Sequence, residues 1–453
     1  MNNTALKEKY IQKAKAIFEN NLIEGYSSWK KTKYKFIAPA KKEYVYQFLW
    51  DTAFHAIVLS HFDTNWAKRE IQNYLLAQWE DGFIPHIIFW KGETYDLPHW
   101  AFLESKPSLR PHTSALTQPP ILGIAIEEIY DKDEDVEFLK DVVPKVAKHY
   151  KWLLENRDPD KDHLVSIISP NESGMDELPV FQVVSGFSGR NLIQLHYAFR
   201  KPDILNQMNG FDSKKILKKD YFNVEEVLFN TVFVENARAI SRLYKALASD
   251  RTSSPNAKAE HKKESDFFDK AADKTEKALI EKLWDEEDSI FYSVYSKEEK
   301  KAKVKTAASL IPLFLGNLPK DKMELLVSKH LLNPDEFWTS YPVPTVSRND
   351  INYSPLEFPE YEHRIQGKIV NKIYLSFYKE LKMLWRGPTW IATNWFIVRG
   401  LRKHGQDKTA KLIVDRMVKM IEKWGFREYY NPETGQGYRR ENFGWSTLIL
   451  DLL

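Results

Sequence analysis

The sequence predicts an all-α fold, an (α/α)6 barrel of six helical hairpins with long loops forming the active-site face. Three observations point there. Apolar residues recur at three- and four-residue spacing along much of the chain, the mark of a helix with one buried face. The helical stretches come as close pairs with short connections, which makes them antiparallel neighbours. Alternating, strand-like patterns are few and short. Six pairs close into a double ring; an open helical solenoid is the competing shape, but no repeat of fixed period supports it.

About twelve helices are expected. They lie near residues 5–20, 51–62, 64–80, 113–131, 140–156, 224–248, 264–284, 305–316, 320–331, 388–404, 406–424 and 441–452. Four carry clear stripes. Val143, Val146, Ala147, Tyr150 and Leu154 form one, and Phe233, Ala237, Ile240, Tyr244 and Leu247 a second. Phe268, Ala272, Thr275, Leu279 and Leu283 form a third, and Ile413, Met417, Met420, Ile421 and Trp424 a fourth. Residues 81–112, 157–222 and 332–386 are long, aromatic and proline-bearing without a helical period. Stretches of that kind inside a compact domain are read as functional loops. The polar run SDRTSSPNAKAEHKKESD, residues 249–266, reads as a surface excursion between two helices. Residues 1–453 are therefore expected to form one catalytic domain.

Composition narrows the function. Lys+Arg 66 against Asp+Glu 63 leaves a net charge of +3, which gives no reason to expect nucleic acid or an anionic membrane as partner. There is no cysteine, so disulfides, thiolate catalysis and cysteine zinc sites are excluded. The lysine-rich first residues hold no apolar core of signal-peptide length, and no run approaches a membrane span. A cytoplasmic protein is the default. Aromatic residues are 14%; they serve core packing and sugar stacking alike, and composition alone puts core packing ahead.

No GxGxxG, P-loop, GxSxG or HExxH motif occurs, and the twelve histidines show no metal-ligand spacing. No metal and no cofactor is expected. Five stretches combine aromatics or prolines with isolated polar groups. In YVYQFLWDTAFHA, Tyr44 to Ala56, Asp51 follows Trp50 and is placed to cap a helix. In LTQPPILG, Gln118 precedes two prolines near a helix start. NESGMDELPVF, Asn171 to Phe181, crowds Glu172, Asp176 and Glu177 among apolar residues, Gly174 and Pro179. In MLWRGPTWIATNWF, Trp385, Trp390 and Trp395 surround Arg386 and Gly387. In REYYNPETGQG, Glu428 sits just past a helix.

Each stretch alone has a structural reading. Together they offer two acids in separate aromatic loops, which is what glycoside hydrolysis needs: one carboxylic acid protonates the leaving oxygen and a carboxylate activates water. Apolar neighbours and Glu177 favour a protonated Asp176, the acid. Glu428, beside Arg427 in a turn that reads as wetter, is expected to stay ionised as the base. A sugar epimerase on the same barrel would instead use histidines, with His55, His86 and His99 as candidates. A non-catalytic helical scaffold would need no such acids.

In register, WDTAFHA, LTQPP, ESGMD, WRGPTW and EYYNPETGQG followed by FGWST resemble glycoside hydrolase family 63. The resemblance is closest to its short prokaryotic branch of mannosylglycerate and glucosylglycerate hydrolases. It runs from about residue 44 to the end. It implies an (α/α)6 barrel and inversion at the anomeric carbon of a small α-glucoside or α-mannoside, with glucosylglycerate and mannosylglycerate the leading substrates and short-oligosaccharide α-glucosidase activity the near alternative. Asp176 matches the family's general acid and Glu428 its general base. Trp50, Asp51, Trp385, Arg386 and Gly387 match residues that grip the −1 sugar. Gly174 would offer backbone beside the acid, and Tyr44 and Gln118 face the aglycone side. Where relatives carry Asn-Ser-Pro after the acid, this chain has Glu177-Leu178-Pro179; residues 181–222 do not show the arginine and tyrosine arrangement that the resemblance associates with glycerate binding, and Arg190 and Arg200 are present there without an assigned place.

Overall fold

The computed structural model describes residues 3–91, 103–106, 110–187, 189, 192–357 and 384–453. Six segments pack side by side in a closed inner ring: Leu49–Leu59, Leu122–Asp133, Val227–Ser249, Ala307–Phe314, Ile391–Lys403 and Gly444–Leu448. Each touches the next, and the sixth returns to the first. That closure distinguishes the (α/α)6 barrel from an open solenoid. Inner helices are apolar almost all round, as burial on every face requires. Every residue of Leu49–Leu59 is buried.

Each inner segment leads to an outer helix. The outer partners are Thr64–Leu75, Val136–Asn156, Pro255–Ala278, the run from Lys320 to Leu331, and Asp407–Trp424. The sixth partner is the N-terminal helix Asn3–Asn20, which packs on Gly444–Leu448, so the two ends of the chain complete one hairpin. Outer helices are amphipathic. In Asp407–Trp424 the inward stripe of Ile413, Met417, Met420 and Ile421 is buried, as its spacing predicts.

Several elements differ from expectation. The expected surface excursion at 249–266 is largely helix: Pro255 opens it at the first position and the Ser254 side chain caps it by accepting from Ala257 N at 3.2 Å. Its first turns are polar because they face solvent; the buried stripe begins at Ser265 and Phe268. The expected helix at 113–131 starts only at Leu122, since Pro119 and Pro120 cannot continue one. Residues 157–222, expected as loop, contain helices Pro179–Val184, Leu192–Met208 and Ser213–Lys219. The inner segment Ala307–Phe314 is a 3-10 helix.

Short strands decorate one end. Val224–Glu225 pairs with Ser166–Ile167 and with Val294–Tyr295. Arg427–Tyr430 pairs antiparallel with Gly437–Glu441. Loops at this end carry the residues described next.

Candidate active site

The acid-rich segment Asn171 to Phe181 resolves into three carboxylates with three tasks. Glu172 is fully buried and forms a two-pronged pair with Arg157, 2.7 Å on each side, while also accepting from Thr117 N and Ile168 N. It fastens the segment to the barrel. Glu177 accepts from Leu384 N, and its carbonyl accepts from Arg386 Nε at 3.2 Å. Asp176, between these anchors, borders a cavity of about 460 Å³. That volume suits a small ligand.

Gly174 explains why the segment lies where it does. Its φ is +73°, and a Cβ there would sit 2.6 Å from the Trp50 ring. The indole therefore rests on bare backbone. The backbone N–H of Trp50 donates to Gln118 Oε1 at 3.3 Å, tying the two N-terminal candidates together. Asp51 lies in the first turn of Leu49–Leu59, but the capping position is Phe48 and has no side-chain cap, so Asp51 is not the N-cap that its place after Trp50 predicts. Its carboxyl faces the cavity instead, and burial above all, with Glu428 nearby, pushes it up to about 8.

Glu428 comes from strand Arg427–Tyr430 and is 1% exposed. It accepts from the Tyr44 hydroxyl at 2.9 Å, and Arg439 Nη1 stands 3.4 Å away. The wetter turn and the Arg427 partner of the sequence expectation are both corrected. Neighbouring strand residues face opposite sides, so Arg427 turns outward to Glu441 while Arg439 crosses the hairpin to Glu428. The cation beside the carboxylate is present, from a different arginine.

Asp176 has a shifted carboxyl. Burial raises it above the ordinary range, Arg200 opposes that rise, and Glu104 adds to it; the Trp385 side chain hydrogen-bonds to it. The neighbour effect expected from Glu177 falls chiefly on Glu177 itself, which burial and then Asp176 hold well above the carboxylate range. Both effects favour a site that holds a proton.

Tryptophans build one wall. Trp385 stacks on Trp390 with centroids 3.9 Å apart, and Trp445 meets Trp50 edge-on at 5.2 Å. The indole N–H groups of Trp390 and Trp445 are buried without an acceptor among the described residues. Hydroxyl-rich ligands offer acceptors to such donors. Trp395 is elsewhere, donating to Asp451 at 2.7 Å.

Eight of the ten residues expected at the site border the cavity: Tyr44, Trp50, Asp51, Gln118, Gly174, Asp176, Trp385 and Glu428. Arg386 and Gly387 do not border it. Arg386 is fully buried and donates to Gln182 and Asn352 at 3.0 and 3.1 Å. Gly387 presses against the Ser354 backbone, where a Cβ would lie 2.2 Å from the carbonyl oxygen. Both brace the Trp385 loop. Sequence reasoning missed Glu43, Glu104 and Trp445, which border the cavity, and Arg439. It left Arg200 without a place. Arg200 also borders the cavity, pairing with Glu104 at 2.6 Å. Of the histidines, His55 is fully buried away from the cavity and pushed down to about 3 by burial, whereas His86 borders it. His99 and Arg190 lie outside the described residues.

Residues 44–446 match the family model described as the mannosylglycerate hydrolase MGH1-like glycoside hydrolase domain. The chain belongs to this glycoside hydrolase family. The hydrolase is 27% identical over 448 residues to a mannosylglycerate hydrolase of Thermus thermophilus, covering 91% of this chain and 95% of the relative. It is 24% identical over 452 residues to the glucosylglycerate hydrolase of Mycolicibacterium hassiacum, covering 90% and 92%. The crystal structure of a GH63 mannosylglycerate hydrolase from Thermus thermophilus in complex with Tris superposes with a TM-score of 0.78 at 25% identity, covering 98% of this chain and 99% of that one. The family 63 resemblance and the barrel are thereby borne out.

Proposed function

We propose that this hydrolase cleaves a small α-glucoside or α-mannoside with inversion, Asp176 acting as general acid and Glu428 as general base. Mannosylglycerate and glucosylglycerate are the leading substrates, since the relatives are named for them. The supporting observation is that Asp176 and Glu428 border one tryptophan-walled cavity, and that both act electrostatically on the same Tyr44 hydroxyl.

In this reading the sugar packs on the Trp50 and Trp385 faces, with hydroxyls meeting the Trp390 and Trp445 donors. Asp176, its proton retained by burial, gives it to the glycosidic oxygen. Glu428, paired with Arg439 and accepting from the Tyr44 hydroxyl, takes a proton from the attacking water. Water attacks from the face opposite the leaving group, which inverts the anomeric centre. One hydrophobic core takes in residues from Tyr10 to Leu452, which supports reading the whole chain as a single catalytic domain.

Asp176→Asn and Glu428→Gln test the roles. Each is expected to remove at least about 100-fold of kcat while circular dichroism and sugar binding persist. Full activity in either variant would refute that residue's role.

A further inference from the structure

Strand Gly437–Glu441 carries one residue more than its partner strand matches. Tyr429 pairs with Tyr438 and Arg427 with Glu441, so two residues, Arg439 and Arg440, stand opposite the single Glu428. This is a β-bulge, a device that re-aims side chains beside active sites. Arg439 takes a φ of 52°, the left-handed conformation that long side chains rarely adopt, and its backbone N–H donates to Glu357 Oε1 at 3.1 Å.

Both bulge residues reach one further carboxylate, Glu43. Arg439 Nη2 donates to Glu43 Oε1 at 3.2 Å across 396 residues of sequence, and Arg440 Nε pairs with Glu43 Oε2. The other arm of the Arg439 fork, Nη1, is the one that stands 3.4 Å from Glu428 Oε1. A guanidinium is planar and rigid, so holding one of its nitrogens sets the place of the other. The Arg439 side chain is 6% exposed, which leaves it little room to take another pose. Glu43 also precedes Tyr44, whose hydroxyl donates to the same oxygen of Glu428. Two consecutive residues therefore address the base, one directly and one through an arginine.

We propose that Glu43 is a positioning residue for the general base: it holds one arm of Arg439 so that the other arm keeps Glu428 in its working orientation. This role presupposes Glu428 as the base. Glu43 borders the cavity, yet each of its oxygens meets an arginine, which assigns it to bracing and not to contact with the sugar.

The test is a double-mutant cycle on kcat, measured with an active α-glycoside. Glu43→Ala should lower kcat about 10-fold with KM within about twofold of wild type. Glu43→Gln, which keeps an acceptor for Nη2, should bring kcat back to within about threefold. Because Glu43 acts through Arg439, adding Glu43→Ala to Arg439→Met should cost less than about a further twofold. Should Arg439→Met fail to fold by circular dichroism, Arg439→Lys replaces it, since lysine keeps the charge and lacks the second arm. Losses that multiply in the double variant would overturn the proposal, as would wild-type kcat in Glu43→Ala. A raised KM at unchanged kcat would make Glu43 a substrate contact and overturn it too. Full activity of Glu428→Gln would instead remove the base itself, whereas inactive Glu428→Gln beside wild-type Glu43→Ala would sink the role of Glu43 alone.

Discussion

The Tyr44 hydroxyl donates to Glu428 Oε1 at 2.9 Å across 384 residues of sequence. This contact joins the loop ahead of the first inner helix to the strand ahead of the last inner segment, at the point where the ring closes. It also fixes which way the carboxylate faces.

Tyr44→Phe removes that hydrogen bond and keeps the ring. A hydrogen bond to a charged group contributes about 1.5–3 kcal/mol, so kcat should fall roughly 10- to 100-fold. Steady-state kinetics on an active α-glycoside, with unchanged Tm as control, checks it. Unaltered kcat would show that the Tyr44 hydroxyl does not orient Glu428 for catalysis.

Gly174→Ala places a methyl group 2.6 Å from the Trp50 ring at a φ of +73°. Strain and overpacking should cost about 1–3 kcal/mol. Because the displaced indole is part of the sugar wall, KM should rise as well as Tm fall. A mutant with a lower Tm and wild-type KM would show that the indole absorbs the change without moving the cavity.

Arg157 and Glu172 are 1% and 0% exposed. Arg157→Met strands a buried charge and should destabilise by about 3–5 kcal/mol in urea unfolding. Adding Glu172→Met should recover part of the loss, since a pair replaced together leaves no orphan. Equal instability in the double variant would mean that Glu172 serves mainly through its contacts to Thr117 and Ile168.

Glu70 is fully buried, accepts from Ile37 N at 3.1 Å, and is pushed by burial from 4.5 to about 8. The folded form therefore keeps a proton that the unfolded chain has released. Its stabilising contribution is complete below about pH 4.5 and is lost as pH rises towards 8. Glu70→Gln removes that dependence. The stability gap between variant and wild type should shift in favour of the variant as pH is raised from 5 to 8, measured by urea unfolding at each pH. A gap independent of pH would show that Glu70 is ionised in the fold throughout.

The barrel was legible because its inner and outer helices carry different periodic stripes, as Asp407–Trp424 shows against Leu49–Leu59. Pro255–Ala278 was only half legible: its solvent-facing first turns lack a stripe, although Ser254 and Pro255 are a start signal. In the site, Asp176 stood out in a run of carboxylates set among apolar residues, and Glu428 as an acid followed by two tyrosines. Arg439 did not, because a hairpin brings it across from the far strand, and adjacency in sequence favours Arg427 even though a strand turns neighbours to opposite faces. Glu104 and Arg200 were hidden for a related reason. Each belongs to a stretch without clear period, and their pairing becomes visible only once helix Leu192–Met208 is laid against the loops. Arg386 and Gly387 illustrate the reverse: they sit beside Trp385 in sequence but do not border the cavity, and their contacts are to Gln182, Asn352 and the Ser354 backbone.

The most direct measurement of the central claim is the anomer released first. Proton NMR of an α-mannoside or α-glucoside under rapid turnover should show the β-sugar before mutarotation, as expected when two carboxyl groups about 6.5–9.5 Å apart admit a water between Glu428 and the anomeric carbon. Initial release of the α-sugar would contradict the account, because it requires a covalent intermediate that Asp176 and Glu428 in these roles do not form.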